Sequence, residues 1–365
     1  MRVVSVSGVS FKGKIIDSHT HLGKWENVNY PPVSLDIFTS SALPNGDTVE
    51  KVITSNSSCL GKDGVVDELT GNRQMLEYAS HNPKIVPLAV CQPNLTNGDS
   101  SKIEQLLKEN PNKFAGLKFH PKCMELPADN AAYDNYLKLA EKYKLPCLFH
   151  TDKTVTIYYA GGGESQRCEY SRPEQVYALA KRHKNVPVIL GHMGGNDGLN
   201  TEAAVNIMID SIENDAAKLY ADISWVNPDT SEKPDIIEAI IRLKNTKKGD
   251  MTERLLFGTD APVGRFGNGG ENGLTPMQAY SKVVIDIKNS IKKAFSKEEA
   301  DELIDKIFYR NAEALFFSQN SDIAASTKSV NQKCGKKYAI IAGIAAVIAV
   351  ATGSLIKNFK SKNNS

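Results

Sequence analysis

The segment "KIIDSHTHLGKW", from Lys14 to Trp25, places two histidines one residue apart directly behind an apolar run. The run is typical of a buried β-strand, and alternate residues of a strand project to the same face, so His19 and His21 are expected to point the same way. Two neutral imidazoles side by side bind first-row divalent metals, most often zinc. A lone His-x-His pair also occurs in purely structural roles, so the rest of the chain must decide between these interpretations.

Seven further segments have the pattern of strands, and helical patterns or loops separate them. They are "VEKVITSNS" (49–57), "IVPLAVCQP" (85–93), "FAGLKFHP" (114–121), "LPCLFHTD" (145–152), "VPVILGHMG" (186–194), "KLYADISW" (218–225) and "RLLFGTDAP" (254–262). Strands that alternate with helices pair in parallel, because parallel strands need crossover connections. Eight such strands predict an α/β fold, a (β/α)₈ TIM-like barrel over residues 1–318. A doubly wound open sheet is the alternative, but no Gly-x-Gly-x-x-Gly follows the first strand.

Histidines concentrate at the carboxyl ends of the predicted strands. Five of the seven lie there: His19, His21, His120, His150 and His192. The eighth strand adds a carboxylate, Asp260, at the same rim, which is where barrel active sites form. Three histidines and a carboxylate leave a coordination position open for water, whose pKa a bound zinc ion lowers to about 7. The clustering therefore predicts a catalytic metal site that generates a metal-bound hydroxide.

These motifs resemble the amidohydrolase superfamily, and within it the amidohydrolase-related group of metal-dependent hydrolases and decarboxylases. The matching motifs, in order, are "IDSHTHLG", "GLKFHP", "LFHT", "GHMGG", "LLFGTDAP" and "YRNAEALF". The resemblance covers roughly Lys14 to Phe317 and implies a barrel that holds one or two divalent metals at its C-terminal mouth.

The resemblance also implies a role for each rim residue. His19 and His21 match the ligands of the first strand, His150 the ligand of the fifth, and Asp260 the carboxylate of the eighth. Asp260 would also take the proton of the water and pass it to the leaving group. His192 matches the histidine of the sixth strand and would polarise the substrate carbonyl. One metal is expected, most often Zn²⁺, although nitrogen and oxygen ligands also accept Mn²⁺ and Fe²⁺.

Four further residues are predicted to line the pocket. His120 and Lys118 alternate to one face of the fourth strand, and we expect His120 to face the substrate. Some superfamily members carry a carboxylated lysine on this strand, so Lys118 is either such a ligand or a structural and electrostatic group. Trp25 follows the histidine pair and would line the entrance. Arg265 follows the eighth strand and would bind a substrate carboxylate, or is a solvated loop charge.

Three functions remain open. The leading one is hydrolysis of an amide, lactone or related carbonyl bond in a small molecule, and the second is decarboxylation of an aromatic or unsaturated acid without hydrolysis. The third is a membrane-tethered binding protein without activity. A nucleic-acid substrate is not expected, because the net charge of the chain is only +2. The deoxyribonuclease branch of the superfamily also expects a glutamate on the fourth strand, where this chain has Lys118 and His120.

The C-terminal end of the chain predicts a membrane anchor. Residues 338–356, "YAIIAGIAAVIAVATGSLI", carry no charge and would span roughly 28 Å as a helix. Polar residues 319–337 read as a flexible tether and residues 357–365 as a basic tail. Small residues recur every four positions at Ala345, Ala349 and Gly353, which predicts a homodimer through this helix. Since the N-terminus shows no signal peptide, the catalytic domain is expected in the cytoplasm.

Overall fold

A computed structural model of the 365-residue chain describes residues 13–23, 34–61, 64–152, 157–158, 164–165, 170–195, 198–226, 235–262 and 273–317. The predicted pocket residues Trp25 and Arg265 lie outside these ranges, as do the predicted tether, membrane helix and tail. Within the described ranges, no helix combines the length and the apolar character needed to cross a membrane.

All eight predicted strands are present. The described strands are β1 (Lys14–Leu22), β2 (Thr48–Asn56), β3 (Ile85–Val90), β4 (Gly116–Phe119), β5 (Cys147–His150), β6 (Ile157–Tyr158), β7 (Glu164–Ser165), β8 (Pro187–Gly191), β9 (Lys218–Asp222) and β10 (Leu255–Leu256). Eight of them form one parallel sheet in the order β1-β2-β3-β4-β5-β8-β9-β10. The short pair β6 and β7 is antiparallel and separate. The order follows the chain, as successive right-handed crossovers require.

Helices separate the barrel strands. They are α1 (Asp36–Thr39), α2 (Glu68–His81), α3 (Ser101–Glu109), α4 (Pro121–Met124), α5 (Asp134–Tyr143), α6 (Pro173–Arg182), α7 (Gly198–Glu213), α8 (Asp235–Lys244), α9 (Pro276–Ala294) and α10 (Lys297–Asp305), followed by a π-helical turn, Lys306–Arg310. The helix α9 begins where Thr275 and Gln278 form a capping box and Pro276 occupies the first turn. The helix α5 buries one apolar face, including Tyr136 and Leu137, as its periodicity predicts.

Backbone hydrogen bonds join the first strand to the chain that follows the last, so that the sheet forms a nearly closed barrel. The Ser18 amide donates to the Phe257 carbonyl at 2.9 Å, and the Asp260 amide donates to the His19 carbonyl at 2.8 Å. Gly258 permits this approach, because a Cβ atom there would lie 3.1 Å from the Cβ of His19. The first and last metal-ligand candidates are therefore brought side by side by the backbone itself.

The carboxylate of Asp17 reinforces the same junction. It accepts the amides of His19 and Thr259 at 3.2 and 3.1 Å, and the hydroxyls of Thr259 and Tyr280 at 2.6 and 2.9 Å. Asp17 is fully buried, and burial raises its pKa to about 7 against the lowering effect of these hydrogen bonds. One side chain thus ties β1 to the segment after β10 and to α9.

We predict that Asp17→Ala lowers the free energy of unfolding by roughly 3 kcal/mol, because several buried donors lose their acceptor at once. Tyr280→Phe removes only one of these hydrogen bonds and should cost about 1 kcal/mol. Urea denaturation of both variants measures the difference. A loss in Asp17→Ala no larger than that in Tyr280→Phe would contradict the role of the carboxylate as the junction.

Candidate metal centre

The structure places every described residue of the predicted site at the mouth of the barrel. His19 and His21 lie on β1, Lys118 lies on β4, and His150 ends β5. His120 directly follows β4, His192 directly follows β8, and Asp260 lies four residues beyond β10. Apart from His150, which is partly exposed, all of these residues are buried. The rim expected from the strand pattern is therefore present.

The tightest group consists of His19, His192 and Asp260. One ligand atom from each lies within 4.8 Å of the other two. Asp260 Oδ1 lies 3.4 Å from His19 Nε2 and 2.9 Å from His21 Nε2. One carboxylate oxygen therefore faces both histidines of the opening motif, while the ring of His192 stacks against that of His19 with centroids 4.7 Å apart.

The predicted ligand His150 lies beside this group. Its Nδ1 is 3.0 Å from His192 Nε2, and its ring stacks on His120 with centroids 3.9 Å apart. Its Nε2 is buried without a hydrogen-bond partner and lies 3.7 Å from Asp152, which pairs with Lys122 at 3.0 Å. His192 thus completes the compact group, and the assignment of His150 as a ligand stays a prediction. His120 accepts the amide of Cys123 through its Nδ1 at 3.2 Å and thereby caps α4.

Lys118 is fully buried, and its Nζ lies 2.7 Å from His19 Nε2. Burial lowers the pKa of Lys118 to about 8, while Asp260 and Asp222 act in the opposite direction. The amine uses the same lone pair of His19 that a metal ion would need. Metal binding at His19 therefore requires the amine to move away, unless carboxylation has converted it into a ligand.

Burial keeps the imidazoles neutral. It lowers the pKa of His19, His150 and His192 to about 4 each, and it also lowers the pKa of His21. Burial alone would raise the pKa of Asp260, but His192 and His21 hold it well below its ordinary value. At neutral pH the group therefore consists of neutral imidazoles and an ionised carboxylate, which is the protonation state that metal ions bind.

The sequence analysis did not identify the residues that form hydrogen bonds with the outer nitrogens of these histidines. Asp222 Oδ2 lies 3.0 Å from His19 Nδ1, and Ser55 Oγ lies 3.0 Å from His21 Nδ1. In both histidines the second nitrogen, Nε2, is the one directed at Asp260. A carboxylate or hydroxyl on the outer nitrogen of a ligating histidine is the usual arrangement in metal sites. The donor set and its outer contacts thus fit a divalent metal of the zinc, manganese or iron type.

Two more partners lie on the turn after β9. Ser224 Oγ is 2.8 Å from His192 Nδ1, and Trp225 Nε1 donates to Asp260 Oδ2 at 2.6 Å. The motif "ADISW" carried a signal that would have found Asp222 and Ser224: polar residues at the carboxyl end of β9, the seventh barrel strand, which is the criterion that identified the histidines on the other strands. That criterion does not find Trp225.

The neutral histidines predict a stability that depends on pH. Because the pKa of His19, His150 and His192 is about 4 when folded and 6.5 as the ordinary value, the unfolded chain binds more protons between these limits. The contribution of these three histidines to the stability of metal-free protein should be full above about pH 6.5 and fall by a few kcal/mol as the pH drops towards 4, whereas the raised pKa of Asp17 acts in the opposite direction. Urea denaturation at several pH values measures this slope. His192→Gln should flatten it, whereas His81→Gln, at an exposed position, should not; a slope unchanged by His192→Gln would contradict the account.

Lys118→Met separates the two interpretations of that lysine. If the ammonium competes with the metal for His19, the variant should bind Zn²⁺ roughly tenfold more tightly or better, because a like charge has also been removed. Calorimetric titration of metal-free protein measures the affinity, with Lys288→Met, a buried lysine paired with Asp47, as the matched control. Loss of zinc binding in Lys118→Met would contradict competition and favour a carboxylated lysine ligand.

Comparison with known proteins agrees with the barrel fold. The family model described as amidohydrolase matches residues 16–317. No curated protein matches the chain. Solved structures share the fold at low sequence identity. A probable 2-pyrone-4,6-dicarboxylic acid hydrolase from Acinetobacter baumannii has a TM-score of 0.52 and 17% identity, with 83% of this chain and 98% of that chain covered.

Two other similar structures carry different descriptions. The 5-carboxyvanillate decarboxylase from Novosphingobium aromaticivorans, in complex with manganese, has a TM-score of 0.51 and 12% identity over 85% of this chain and 97% of that chain. A TatD homolog from Escherichia coli has a TM-score of 0.51 and 18% identity over 83% of this chain and 97% of that chain. The family match extends over most of the chain, from the first barrel strand to the last described helix. This chain therefore belongs to the amidohydrolase family.

Proposed function

We propose that this chain is a metal-dependent hydrolase that cleaves an amide, lactone or related carbonyl bond in a small molecule. The observation that carries the proposal is the convergence of His19, His192 and Asp260 within 4.8 Å at the mouth of the barrel. Burial keeps the imidazoles neutral, and the neighbouring histidines keep the carboxylate ionised. A bound cation would compensate this buried negative charge.

Asp260 is the proton carrier in this proposal. A divalent metal held by these residues would supply Lewis acidity, activating water and polarising the scissile carbonyl. The ionised Oδ1 of Asp260 faces the histidines and is placed to accept the proton of the attacking water. The same oxygen would then return that proton to the leaving group, while Oδ2 remains held by Trp225.

In this proposal His192 is a metal ligand rather than the polarising residue expected from the sequence, and its hydrogen bonds support that role. The hydroxyl of Ser224 donates to the carboxylate of Asp222, which cannot donate, so Ser224 Oγ must accept from His192 Nδ1. His192 Nε2 is then unprotonated and accepts from His150 Nδ1. An unprotonated nitrogen binds a metal but cannot donate a hydrogen bond to a carbonyl, so the polarising role predicted for His192 would need a different protonation state.

Decarboxylation of a small carboxylic acid is the second candidate function. The observation that favours it is positive charge near the mouth: Lys118 is fully buried, and Lys122, two residues after the β4 rim residue His120, pairs with Asp152 while almost fully buried. Such charges suit a substrate carboxylate. The 5-carboxyvanillate decarboxylase has the same fold.

A substrate panel decides between the two functions. Lactones, amides and aromatic acids would be incubated with metal-loaded full-length protein, with acid production followed by pH-stat and carbon dioxide release measured in parallel. The hydrolase proposal expects acid without carbon dioxide from a lactone or amide. Carbon dioxide from the aromatic acids instead would establish the decarboxylase.

We predict that Asp260→Asn lowers kcat by a factor of roughly 10² to 10⁴, because the amide cannot take a proton from water. Its far-ultraviolet circular dichroism should match the wild type. Asp286→Asn, which removes a carboxylate from a lysine pair on α9, is the control and should retain full activity. Turnover by Asp260→Asn at the wild-type rate would remove Asp260 as the proton carrier.

A further inference from the structure

We propose that the segment Asp222–Trp225, at the C-terminal end of β9, positions the three members of the metal centre, and that Trp225 is the residue that orients Asp260. This inference rests on the proposed function, since it concerns the same centre. Each contact comes from a different residue of the segment: Asp222 holds His19, and Ser224 holds His192. Trp225 in turn holds Asp260.

Trp225 contacts the carboxylate from the side away from the histidines. Its indole Nε1 donates to Asp260 Oδ2 at 2.6 Å, while Asp260 Oδ1 lies 2.9 Å from His21 Nε2. An N–H donor on a carboxylate is a charge-assisted hydrogen bond, and it removes the freedom of the group to rotate. Trp225 therefore determines that Asp260 presents a single oxygen to the centre.

The indole cannot itself be a metal ligand. Its nitrogen carries a hydrogen and has no lone pair in the ring plane, so it only donates. Trp225 therefore acts on the centre through its hydrogen bond to Asp260 and not as a ligand. This separates a positioning residue from an additional ligand.

The backbone supports the same assignment. Trp225, Asp260 and His192 all have φ of +62°, the left-handed region that costs a residue with a side chain roughly 1 kcal/mol or more. Such conformations persist where the surrounding structure requires them, and they gather at functional sites. Here two of them lie on members of the centre and the third lies on the residue that holds one of those members. The left-handed turn at Trp225 accompanies its hydrogen bond across to the strand-end carboxylate.

Asp222 and Ser224 complete the segment. The Oδ1 of Asp222 accepts the backbone amides of His192 and Ser224 at 3.2 and 3.1 Å, and its Oδ2 faces His19 Nδ1. Asp222 is fully buried. Asp222 thus fixes His19 and the turn that carries His192 at the same time.

The chain provides a spectroscopic reporter for this contact. It contains only two tryptophans, Trp25 and Trp225, so Trp25→Phe leaves Trp225 as the sole tryptophan. A metal ion that binds Asp260 withdraws charge from the oxygen that the indole contacts. Zinc added to metal-free Trp25→Phe protein should therefore shift the fluorescence of Trp225, with a midpoint at the zinc affinity measured by calorimetry.

Trp225→Phe tests the energetic consequence. It keeps an aromatic ring and removes the N–H, and we expect zinc affinity to fall by roughly 10- to 100-fold, the usual effect of removing a partner of a ligand. Tyr136→Phe is the matched control: it removes another hydrogen bond of an aromatic side chain, to the carbonyl of Asp99, and should leave zinc affinity unchanged.

The outcomes distinguish this inference from the proposed function. If wild-type protein binds no zinc, manganese or iron, the metal centre itself is overturned. If wild-type protein binds zinc while the fluorescence of Trp225 does not respond, or while Trp225→Phe binds as tightly as wild type, the positioning role is overturned and the metal centre stands. Should Trp225→Phe fail to fold by circular dichroism, the fluorescence titration of Trp25→Phe decides alone.

Discussion

The backbone junction between the first strand and the chain after the last one is the constraint on which the rest of the site depends. His19 and Asp260 are far apart in the sequence, yet the amide of one donates to the carbonyl of the other at 2.8 Å. That hydrogen bond closes the barrel and has no direct role in catalysis. The closure therefore brings a carboxylate beside the histidine pair, and the buried Asp17 secures both sides of the joint.

Burial then determines the charge state of what has been brought together. Desolvation keeps His19 and His192 neutral, whereas Asp222 and Asp260 remain ionised because hydrogen bonds and neighbouring imidazoles stabilise them. Lys118 supplies one positive charge against these two negative ones, so the described centre carries a deficit of positive charge. This net negative charge attracts a cation, which is the physical reason for proposing a metal site here rather than a purely structural role.

The sequence was sufficient for the barrel and for most of the rim. Strand segments between helical patterns predicted parallel pairing. The carboxyl ends of parallel strands all lie at the same end of a barrel, so histidines at these ends were expected at one rim. Ring orientation was not predictable in this way. Whether His150 or His192 joins the compact group depends on hydrogen bonds such as that of Ser224. The contact of Trp225 depends on a left-handed backbone conformation, which cannot be predicted from the sequence at a residue with a bulky side chain.

The central claim is that side chains at the carboxyl ends of β1, β8 and β10 hold one divalent ion. Equilibrium dialysis of metal-free full-length protein against Zn²⁺, followed by metal analysis, tests this claim most directly when His19→Ala and Asp260→Ala are dialysed alongside. The account predicts one zinc ion per wild-type chain and substantially less than one in either variant. No retained zinc in the wild type, or full retention in both variants, would contradict it.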